Sequence, residues 1–593
     1  MVETLGNLSE QEVFDVVVIG AGGAGMSAAL FAAIDGARVL LVEHTEYVGG
    51  STAYSAGTTW IPASKHAASV NRDDSSANAE GFLSRAVGEH SSAAMRRAFL
   101  DAGPTAVAHI EANSDVKYRA RPFHPDYLSE IEGSTLRGRA LEPLPFDGRK
   151  LGSAFALIRP PIPEFTVLGG MMVDRDDVGH LLNMTKSAAS FGHAVKLLTR
   201  HARDRMGHSR GTRLVMGNAL IGRLLYSLLQ RGVTVLTQTK LDALHSGPNG
   251  IEAVTLSQVN ERRRIGVKGG VILASGGFNR HPKYRAEMLP GADAAWCPGA
   301  PGHTGSAQDL ALAAGARFGE SAMSNAFWAP VSTRKRADGT TAVFPHFLMD
   351  RGKPGMMTVD KNGRRFLNEN TSYHLFGIAM QKALSVPAFL ITDAEGLMKY
   401  GLGMVRPGGK GLASYLADGY LTEANTLDEL AGKLGIDSAG LADSVARMNR
   451  YAQTGVDEDF HRGSTDYQNA NGDANWSGPN KCLGPIGRAP FYAVRLYPGD
   501  IGAATGLVTD TDARVLNHDD RPIDGLYACG NDMQSVMGGV YPGPGITLGP
   551  GLAFGYLAAR HAAARASQPV ALTDQRDDAL TLPIDLATHA HAK

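Results

Sequence analysis

The sequence is poor in cysteine, has no long apolar run and carries no excess of charge of either sign. Among 593 residues only Cys297, Cys482 and Cys529 are cysteines, and none forms a CxxC pair. This argues against a disulfide framework or a zinc site, so we expect no metal and a reducing compartment. No stretch reaches the roughly 18 apolar residues of a membrane-spanning helix. The acidic N-terminal stretch MVETLGNLSEQEVFD also lacks an apolar signal-peptide core.

Charge balance gives no reason to expect a nucleic-acid partner. The chain has 58 Lys and Arg against 59 Asp and Glu, a net charge of −1, so no global field attracts a polyanion. The local exception is the basic stretch Lys196–Arg213. We interpret it as a solvated loop, with attraction of an anionic partner or membrane as the alternative. The expected location is therefore cytoplasmic, with peripheral membrane association left open.

Residues 15–43 predict a βαβ unit that binds a dinucleotide. Val16–Ile19 and Arg38–Val42 are short apolar runs typical of buried parallel strands, and Met26–Asp35 between them favours a helix. The intervening turn has the pattern G-x-G-x-x-G. In this motif the glycines allow a tight turn, a close approach to a pyrophosphate and close packing of helix on strand. The residues expected at the phosphates are Gly20, Gly22, Gly23, Ala24 and Gly25.

An acidic residue ends the second strand of this unit. Glu43 follows Arg38–Val42 at about the spacing, roughly 20 residues after the glycines, at which an acid accepts from ribose hydroxyls. The helix N-terminus would add unpaired N–H groups and a positive dipole for the phosphates. Strand, turn, helix and acid together indicate a bound dinucleotide.

Three further turns resemble those of the fumarate reductase and succinate dehydrogenase flavoprotein superfamily. They are VGGSTAYS at Val48–Ser55, ASGGF at Ala274–Phe278 and GLYACGN at Gly525–Asn531. The resemblance implies FAD, and no second glycine motif for a nicotinamide is present. The VGGSTAYS loop lacks the histidine of covalent members, which implies noncovalent FAD. The residues expected to contact it are Gly50, Ser51, Thr52, Ser55, Gly276, Gly277 and Asn531.

The predicted fold class is α/β, a Rossmann-like FAD-binding domain of the glutathione-reductase type with an inserted α+β catalytic domain. Further strands are expected at Val233–Thr237, Val271–Ala274 and Leu526–Cys529, with helical patterns near Asp309–Gly315 and Leu427–Tyr451. An aromatic-, Pro- and Gly-rich segment separates the strand signals. The first part of the FAD-binding domain is predicted at residues 1–295 and the catalytic domain at 296–484. The second part of the FAD-binding domain is predicted at residues 485–567 and a polar tail at 568–593.

The segment Val536–Phe554, VMGGVYPGPGITLGPGLAF, carries the strongest chemical signal. Tyr541 stands four residues before Gly545 in a Gly- and Pro-rich loop, and an apolar helix-like run begins at about Thr547. Such a loop can aim a phenol O–H and a backbone N–H at one small acceptor. Two donors on a developing enolate oxygen acidify the adjacent C–H, and one such donor can contribute roughly 3–4 kcal/mol.

The YPGPG loop closely resembles that of 3-ketosteroid Δ1-dehydrogenases, and the resemblance extends over most of the chain. It implies that the Tyr541 hydroxyl and the Gly545 N–H bind the ketone of the substrate. It also implies that Tyr373 is the general base for the α-proton and that Tyr127 favours its phenolate, because a free phenol has a pKa of about 10. Amides at the helix start near Leu548 would stabilise the reduced flavin.

The sequence thus predicts FAD-dependent 1,2-desaturation of a hydrophobic cyclic ketone, with a 3-ketosteroid as the leading substrate and a quinone or redox protein as electron acceptor. One alternative is desaturation of another alicyclic ketone, such as an oxocyclohexane carboxylate. A second is a fumarate-reductase-like ene-reductase, but no Arg or His stands between Gly530 and Arg560 to hold a carboxylate there. A third alternative is a flavin-binding electron-transfer or structural subunit, in which the tyrosines would have no role.

Overall fold

The computed structural model describes residues 2–347 and 350–568. Of the tail expected at residues 568–593, everything after residue 568 lies outside the described residues. The described part folds around two sheets, one of nine strands and one of six, with smaller sheets beside them.

The nine-stranded sheet contains the predicted βαβ unit. Its centre is parallel, with Val13–Ile19 between Val39–Val42 and Glu261–Leu273, and with Thr234–Leu236 beyond Val39–Val42. The central strands are buried on both faces, which explains their continuous apolar sequence. The other strands of this sheet are Val2–Glu3, Lys240–Gly247, Gly250–Gln258, Arg514–Leu516 and Pro522–Ala528.

Two helices pack on this sheet and on each other, and a third helix packs on the first of them. Gly23–Ile34, the helix after the glycine turn, contacts both Met216–Gln230 and Leu548–Ala566. Small residues allow the approach: a Cβ added at Gly551 would lie 3.1 Å from the Ala24 Cβ. The N-terminus of the last helix is thereby held next to the glycine turn.

The six-stranded sheet organises the segment that the sequence separates as a catalytic domain. Its central strand, Phe491–Ala503, pairs with Ala326–Lys335, Ala388–Asp393 and Leu421–Ala424, and Thr341–Pro345 and Met357–Val359 complete it. This central strand lies beyond residue 484, so the sheet extends past the boundary expected from composition. The strand Phe491–Ala503 thus belongs to the six-stranded sheet, whereas Pro522–Ala528 belongs to the nine-stranded sheet.

Shorter elements connect the two sheets. The predicted helical run Leu427–Tyr451 is two helices, because Gly435 adopts a left-handed conformation with φ 72° at the end of the first. The start of the basic stretch at 196–204 is helical, not a loop. The remaining helices are Ser76–Ala86, Ala93–Asn113, Arg175–Leu182, Ala188–Asp204, Pro282–Met288, Ser306–Ala313, Tyr373–Lys382, Ala394–Tyr400, Leu412–Ala417, Leu427–Leu434, Ser438–Thr454 and Asp466–Asn471. The remaining strands are Thr59–Trp60, Tyr118–Ala120, Ala140–Pro143, Phe146–Asp147 and Arg213–Leu214.

Within the described residues, none of the helices combines the length and apolar character needed to cross a bilayer. Ile19 and Val42, the last residues of two of the parallel strands, line the cavity in which the site residues collect.

Candidate active site

A cavity of about 1200 Å³ runs from the glycine turn to the tyrosine residues. It is lined by residues from both sheets and by the loop before the last helix. Two of the site residues expected from the sequence, Gly25 and Gly277, do not line it. The others do: Gly20, Gly22, Gly23, Ala24, Glu43, Gly50, Ser51, Thr52, Ser55, Tyr127, Gly276, Asn531, Tyr373, Tyr541, Gly545 and Leu548.

The three motif glycines differ in what surrounds them. A Cβ added at Gly20, whose φ is +104°, would lie 2.3 Å from the Ala274 oxygen, and one at Gly25 would lie 1.9 Å from the Gly20 oxygen. Gly22 has no atom within 4 Å of such a Cβ, and it faces the cavity. The first and third glycines are thus required by packing, while the second leaves room for a group to approach. This matches the needs of a pyrophosphate.

Glu43 is fixed at the cavity wall and is only 7% exposed. Its Oε2 accepts from the Ala21 N–H at 3.0 Å, and its Oε1 accepts from the Thr45 N–H and hydroxyl at 2.8 and 2.7 Å. Carboxylate oxygens retain further acceptor capacity after these contacts. The residue therefore suits a ribose hydroxyl of a bound dinucleotide.

The turn at Ala274–Phe278 is held by a residue that the sequence reasoning missed. Asp532, fully buried, accepts from the N–H of Ser275, from its hydroxyl at 3.0 Å and from the Gly277 N–H at 2.9 Å. Burial raises the pKa of Asp532, although these donors oppose the rise. It stands directly after the predicted contact Asn531, and its place beyond a strand end is the only signal that the sequence offers.

His303 is a second residue without a predicted role. It lines the cavity, is 6% exposed, and its Nε2 lies 3.4 Å from the Ser51 hydroxyl. The same hydroxyl accepts from the Ala300 N–H at 2.8 Å. Burial lowers the pKa of His303 to about 4, so the ring is neutral at physiological pH. A GlyHisThrGly sequence is typical of an ordinary turn, so nothing in it predicts that this histidine lines the cavity.

The three expected tyrosines form one cluster. The ring centroid of Tyr541 lies 5.1 Å from that of Tyr373 and 5.6 Å from that of Tyr127. The Tyr127 hydroxyl donates to the Tyr373 hydroxyl oxygen at 3.3 Å. Residues separated by hundreds of positions in sequence are thus brought to one end of the cavity.

Burial acts against ionisation of this cluster. It raises the pKa of Tyr541 to about 12, and it raises the pKa of Tyr373 and of Tyr127 well above 10. For Tyr373 the neighbouring phenols add to the effect of burial, because a second negative charge beside the first is unfavourable. A phenolate base here needs stabilisation that the tyrosines alone do not supply.

Backbone contacts place Tyr127 against the YPGPG loop. Its N–H donates to the Pro542 oxygen at 2.8 Å. The preceding residue, Asp126, is buried and accepts from the Trp60 indole at 2.8 Å and from Arg139 at 2.8 Å. This buried, paired carboxylate fixes the segment that carries Tyr127.

Gly545 provides a backbone N–H at the cavity. Its φ is +91°, and an added Cβ would lie 2.3 Å from the Thr58 oxygen, so no other residue fits without rearrangement. Its oxygen accepts from the N–H groups of Trp60 and Gly549 at 3.2 and 2.9 Å. In residues 2–347 and 350–568 no acceptor is bonded to the Gly545 N–H. That donor is therefore free for a ligand.

Aromatic side chains complete the wall around the cluster. Their ring centroids lie 5.0 Å from Tyr373 for Phe347, 5.2 Å from Tyr541 for Phe327 and 4.9 Å from Tyr127 for Tyr467. Sequence reasoning did not single them out, because isolated aromatics in different elements form no motif. Of these three, Phe347 lines the cavity itself, and Phe327 and Tyr467 pack behind the tyrosine cluster.

Comparison with known proteins defines the class first. A family model described as an FAD binding domain matches residues 15–548. The protein is therefore a flavoprotein that uses FAD, and its relatives make it an oxidoreductase acting on CH–CH groups. A fumarate reductase structure with 20% identity and a TM-score of 0.60, covering 94% of this chain and 79% of that one, shares the fold.

Two curated relatives match nearly the whole chain. The 4-oxocyclohex-2-ene-1-carboxylate 5-dehydrogenase of Sinomonas cyclohexanicum is 36% identical, over 93% of this chain and 94% of that protein. The 3-oxosteroid 1-dehydrogenase of Mycolicibacterium smegmatis is 35% identical, over 93% and 98%. The crystal structure of 3-ketosteroid Δ1-dehydrogenase from Sterolibacterium denitrificans, in complex with 1,4-androstadiene-3,17-dione, superposes with a TM-score of 0.87 at 34% identity, covering 93% of this chain and all of that one. The chain belongs to the 3-ketosteroid Δ1-dehydrogenase family of FAD-dependent flavoproteins.

Proposed function

We propose that the protein catalyses 1,2-desaturation of a cyclic ketone, with a 3-ketosteroid as the leading substrate. The observation that carries the proposal is the meeting of Tyr541, the free N–H of Gly545 and Tyr373 in one cavity with the dinucleotide motif. Two relatives of this chain are named as dehydrogenases of cyclic ketones. The assignment of roles to these residues is our proposal.

Tyr541 and Gly545 act as the donors to the carbonyl oxygen. Only the neutral phenol carries an O–H to donate, and burial keeps Tyr541 neutral by raising its pKa to about 12. Both donors are fixed by the loop and its contact with Trp60 before the substrate arrives. Preorganised donors of this kind stabilise the enolate oxygen more than the ketone oxygen, so they lower the barrier.

Tyr373 takes the α-proton. As its oxygen forms the new O–H bond, the C–H electron pair becomes the enolate, and collapse of the enolate expels hydride from the β-carbon. FAD, when bound in this cavity, would supply the acceptor for that hydride. Tyr373 begins the helix Tyr373–Lys382, whose positive N-terminal end favours negative charge on the base.

Leu548 marks the place expected for the flavin ring's polar edge. It begins the helix Leu548–Ala566 and lines the cavity beside Thr547. The partial positive charge of this N-terminus suits an anionic reduced ring. We propose that FAD is held noncovalently, so denaturation with acid should release all flavin into the supernatant; flavin that stays with the precipitate would contradict this.

A second candidate substrate is an alicyclic ketone that carries a carboxylate. The 36% identical relative is named for such a substrate. Arg175 lines the cavity and is exposed, and within the described ranges it has no ion pair or side-chain hydrogen bond. Its neighbours Arg119 and Arg121 are instead paired with Asp176. Arg175→Met should raise KM for a ketone carboxylate and leave KM for a neutral steroid unchanged.

An anaerobic titration tests the proposal and separates the two substrates. The purified yellow protein is mixed without oxygen with a 3-ketosteroid, with a 4-oxocyclohexane carboxylate or with fumarate after chemical reduction. Bleaching by the steroid, with appearance of dienone absorbance, is the expected result. Bleaching only by the carboxylate assigns the second substrate. Reoxidation by fumarate, with no ketone able to bleach the flavin, would overturn the proposal.

A further inference from the structure

A helical hairpin next to the cavity carries the start of the basic stretch, which the proposed chemistry does not use. The hairpin is residues 175–204, with the helices Arg175–Leu182 and Ala188–Asp204. The two helices pack against each other, since the ring centroids of His180 and His193 lie 4.3 Å apart and the His180 Nδ1 lies 3.2 Å from the Ser190 hydroxyl. The hairpin is therefore a folded element with a surface of its own.

The second helix of the hairpin turns an apolar stripe outward. Phe191 and Val195 are 55% and 43% exposed, and Ala188 and Ala202 are exposed as well. In order along the chain these four positions are i, i+3, i+7 and i+14, which is one face of an α-helix. The opposite face is buried, and it contains Ser190, Ala194, Leu197, His201 and Asp204. A surface helix of a globular protein normally buries its apolar stripe, so this outward stripe indicates a binding surface.

Other exposed apolar side chains lie in the same part of the chain. Among the described residues, five of the thirteen exposed large apolar side chains fall between residues 168 and 206, and these five are Leu168, Leu182, Phe191, Val195 and Met206. The Leu168 oxygen accepts from the His201 Nε2 at 3.0 Å, which ties the segment before the hairpin to its second helix. Such a concentration of exposed apolar groups marks an interaction surface.

Exposed cations accompany the apolar stripe. Lys196 and Arg203 lie in the helix, Lys186 and Arg205 lie at its two ends, and within residues 2–347 and 350–568 none of the four forms an ion pair or a side-chain hydrogen bond. Residues 178–203 contain no acidic residue, and Asp204 is buried. Apolar side chains together with Lys and Arg are typical of helices that lie in a membrane interface. The charge complements anionic lipid headgroups.

The same surface is continuous with the wall of the cavity. Phe165 and Met172, on either side of Leu168 in the chain, line the cavity, and so does Arg175 at the start of the hairpin. Arg175 is also exposed, so this part of the wall adjoins the protein surface. An apolar cyclic ketone partitions from water into lipid. A cavity held beside a lipid surface would receive such a ketone without its passage through water.

We propose that the hairpin lies on an anionic lipid surface, with Phe191 and Val195 among the acyl chains and Lys196 and Arg203 against the headgroup phosphates. The cavity beside the hairpin then takes an apolar ketone from the lipid. Delivery of the ketone rests on the proposed function, whereas binding of the hairpin to lipid does not.

Sedimentation of the FAD-bound protein with vesicles tests the proposal. Vesicles of phosphatidylcholine mixed with phosphatidylglycerol are compared with vesicles of phosphatidylcholine alone. The protein should sediment with the anionic vesicles, and the bound fraction should fall when the salt concentration is raised, because salt screens the cations. Protein that stays in the supernatant at low salt, or that binds both kinds of vesicle equally, would overturn the proposal.

Two variants remove the two kinds of contact separately. Burial of a phenylalanine side chain corresponds to at least about a tenfold change in binding, so Phe191→Gln should lower the partition coefficient by that factor or more. Each cation near an anionic surface contributes roughly fivefold. Lys196→Gln combined with Arg203→Gln should therefore lower binding to anionic vesicles roughly 25-fold.

Met398→Gln and Lys283→Gln are the matched controls. Met398 is 53% exposed, Lys283 is exposed and has no ion pair in the part of the chain that the structure describes, and neither belongs to the hairpin. Both variants should bind vesicles like the wild type. An equal loss of binding in the hairpin variants and in these controls would overturn the proposal.

A second copy of the chain is another occupant that this surface could take, and light scattering without vesicles detects it. The proposal predicts that Phe191→Gln leaves the mass in solution unchanged. A dimer that Phe191→Gln converts to a monomer, with no binding of the wild type to vesicles, would assign the surface to contact between copies.

Kinetics separate delivery of the ketone from the proposed function. With a 3-ketosteroid dissolved in anionic vesicles, Phe191→Gln should raise KM and leave kcat unchanged. With a water-soluble cyclic ketone both constants should match those of the wild type. An unchanged KM for the steroid in vesicles would exclude delivery from lipid. If no ketone reduces the wild-type flavin, the proposed function fails, and binding to vesicles still tests the hairpin.

Discussion

Tyr541 makes the most direct prediction at the scale of single residues. Tyr541→Phe removes one donor from the carbonyl oxygen and leaves the ring packing against Tyr127 and Phe327. Loss of one preorganised donor costs about 10²–10³ in rate. Stopped-flow flavin reduction should show this loss while the FAD content is unchanged. A variant that reduces flavin at the wild-type rate would exclude the role.

Tyr373 predicts a pH dependence. Because burial holds its pKa well above 10, the phenolate is a small fraction at neutral pH and grows about tenfold for each unit of pH. The reduction rate should therefore rise with pH through the neutral range. In Tyr373→Phe the rate should fall by about 10²–10⁴, and the slope should disappear. A wild-type rate that is flat from neutral to alkaline pH would contradict the assignment.

Several of these residues could be predicted from sequence and others could not. Tyr541 and Gly545 stand in one loop, so their spacing carries the signal. Asp532 and His303 make buried contacts with distant segments. No local pattern distinguishes such residues from ordinary polar ones, because the partner is defined only by the fold.

The glycine turn makes a prediction at the scale of an element. A Cβ at Gly22 meets no protein atom within 4 Å but faces the cavity. Gly22→Ala should therefore weaken FAD binding at least about tenfold, because the added methyl group enters the cavity; a factor of ten corresponds to about 1.4 kcal/mol. The stability of the apoprotein should be unchanged. Fluorescence titration with FAD and thermal unfolding of the apoprotein measure the two effects.

Two other glycines are controls for that prediction. Gly25→Ala places its Cβ 1.9 Å from the Gly20 oxygen, so it should destabilise the apoprotein as well. Gly192, in the helix Ala188–Asp204, also has open space, and Gly192→Ala should leave FAD binding intact. If Gly22→Ala binds FAD like the wild type, the cavity next to this turn does not hold the phosphates.

At this scale the sequence predicted element types better than membership of a sheet. The strands at Val16–Ile19 and Leu526–Cys529 were expected and are present, within a few residues. Phe491–Ala503 joins the second sheet although it follows the expected boundary at residue 484. The hydrophobic pattern of a strand indicates that the strand is buried, but it does not indicate which other strand it pairs with. Pairing over long sequence separations depends on the whole fold.

The whole molecule contains buried neutral histidines, which predict acid sensitivity. Burial lowers the pKa of His303 and of His374 to about 4, against about 6.5 when unfolded. Between those values the unfolded state binds more protons, so the free energy of unfolding falls as pH is lowered from 6.5 towards 4. Each histidine contributes roughly 3 kcal/mol to this loss.

Denaturation of the FAD-bound protein at neutral and mildly acidic pH measures the effect. His303→Gln should lose less stability on acidification than the wild type. His518→Gln, at an exposed position, should lose as much as the wild type. Equal acid sensitivity in wild type and His303→Gln would show that this ring does not set the stability of the molecule.

The arrangement of the whole molecule places a nucleotide motif from the first sheet and aromatic residues near the second on one cavity. A structure of the protein with FAD and a cyclic ketone measures the central claim most directly. The ketone oxygen should lie within hydrogen-bond distance, about 2.6–3.2 Å, of both the Tyr541 hydroxyl and the Gly545 nitrogen. The α-carbon should face the Tyr373 oxygen. A ketone oxygen bound away from Tyr541, with the phenol packed only against apolar groups, would contradict the proposed mechanism.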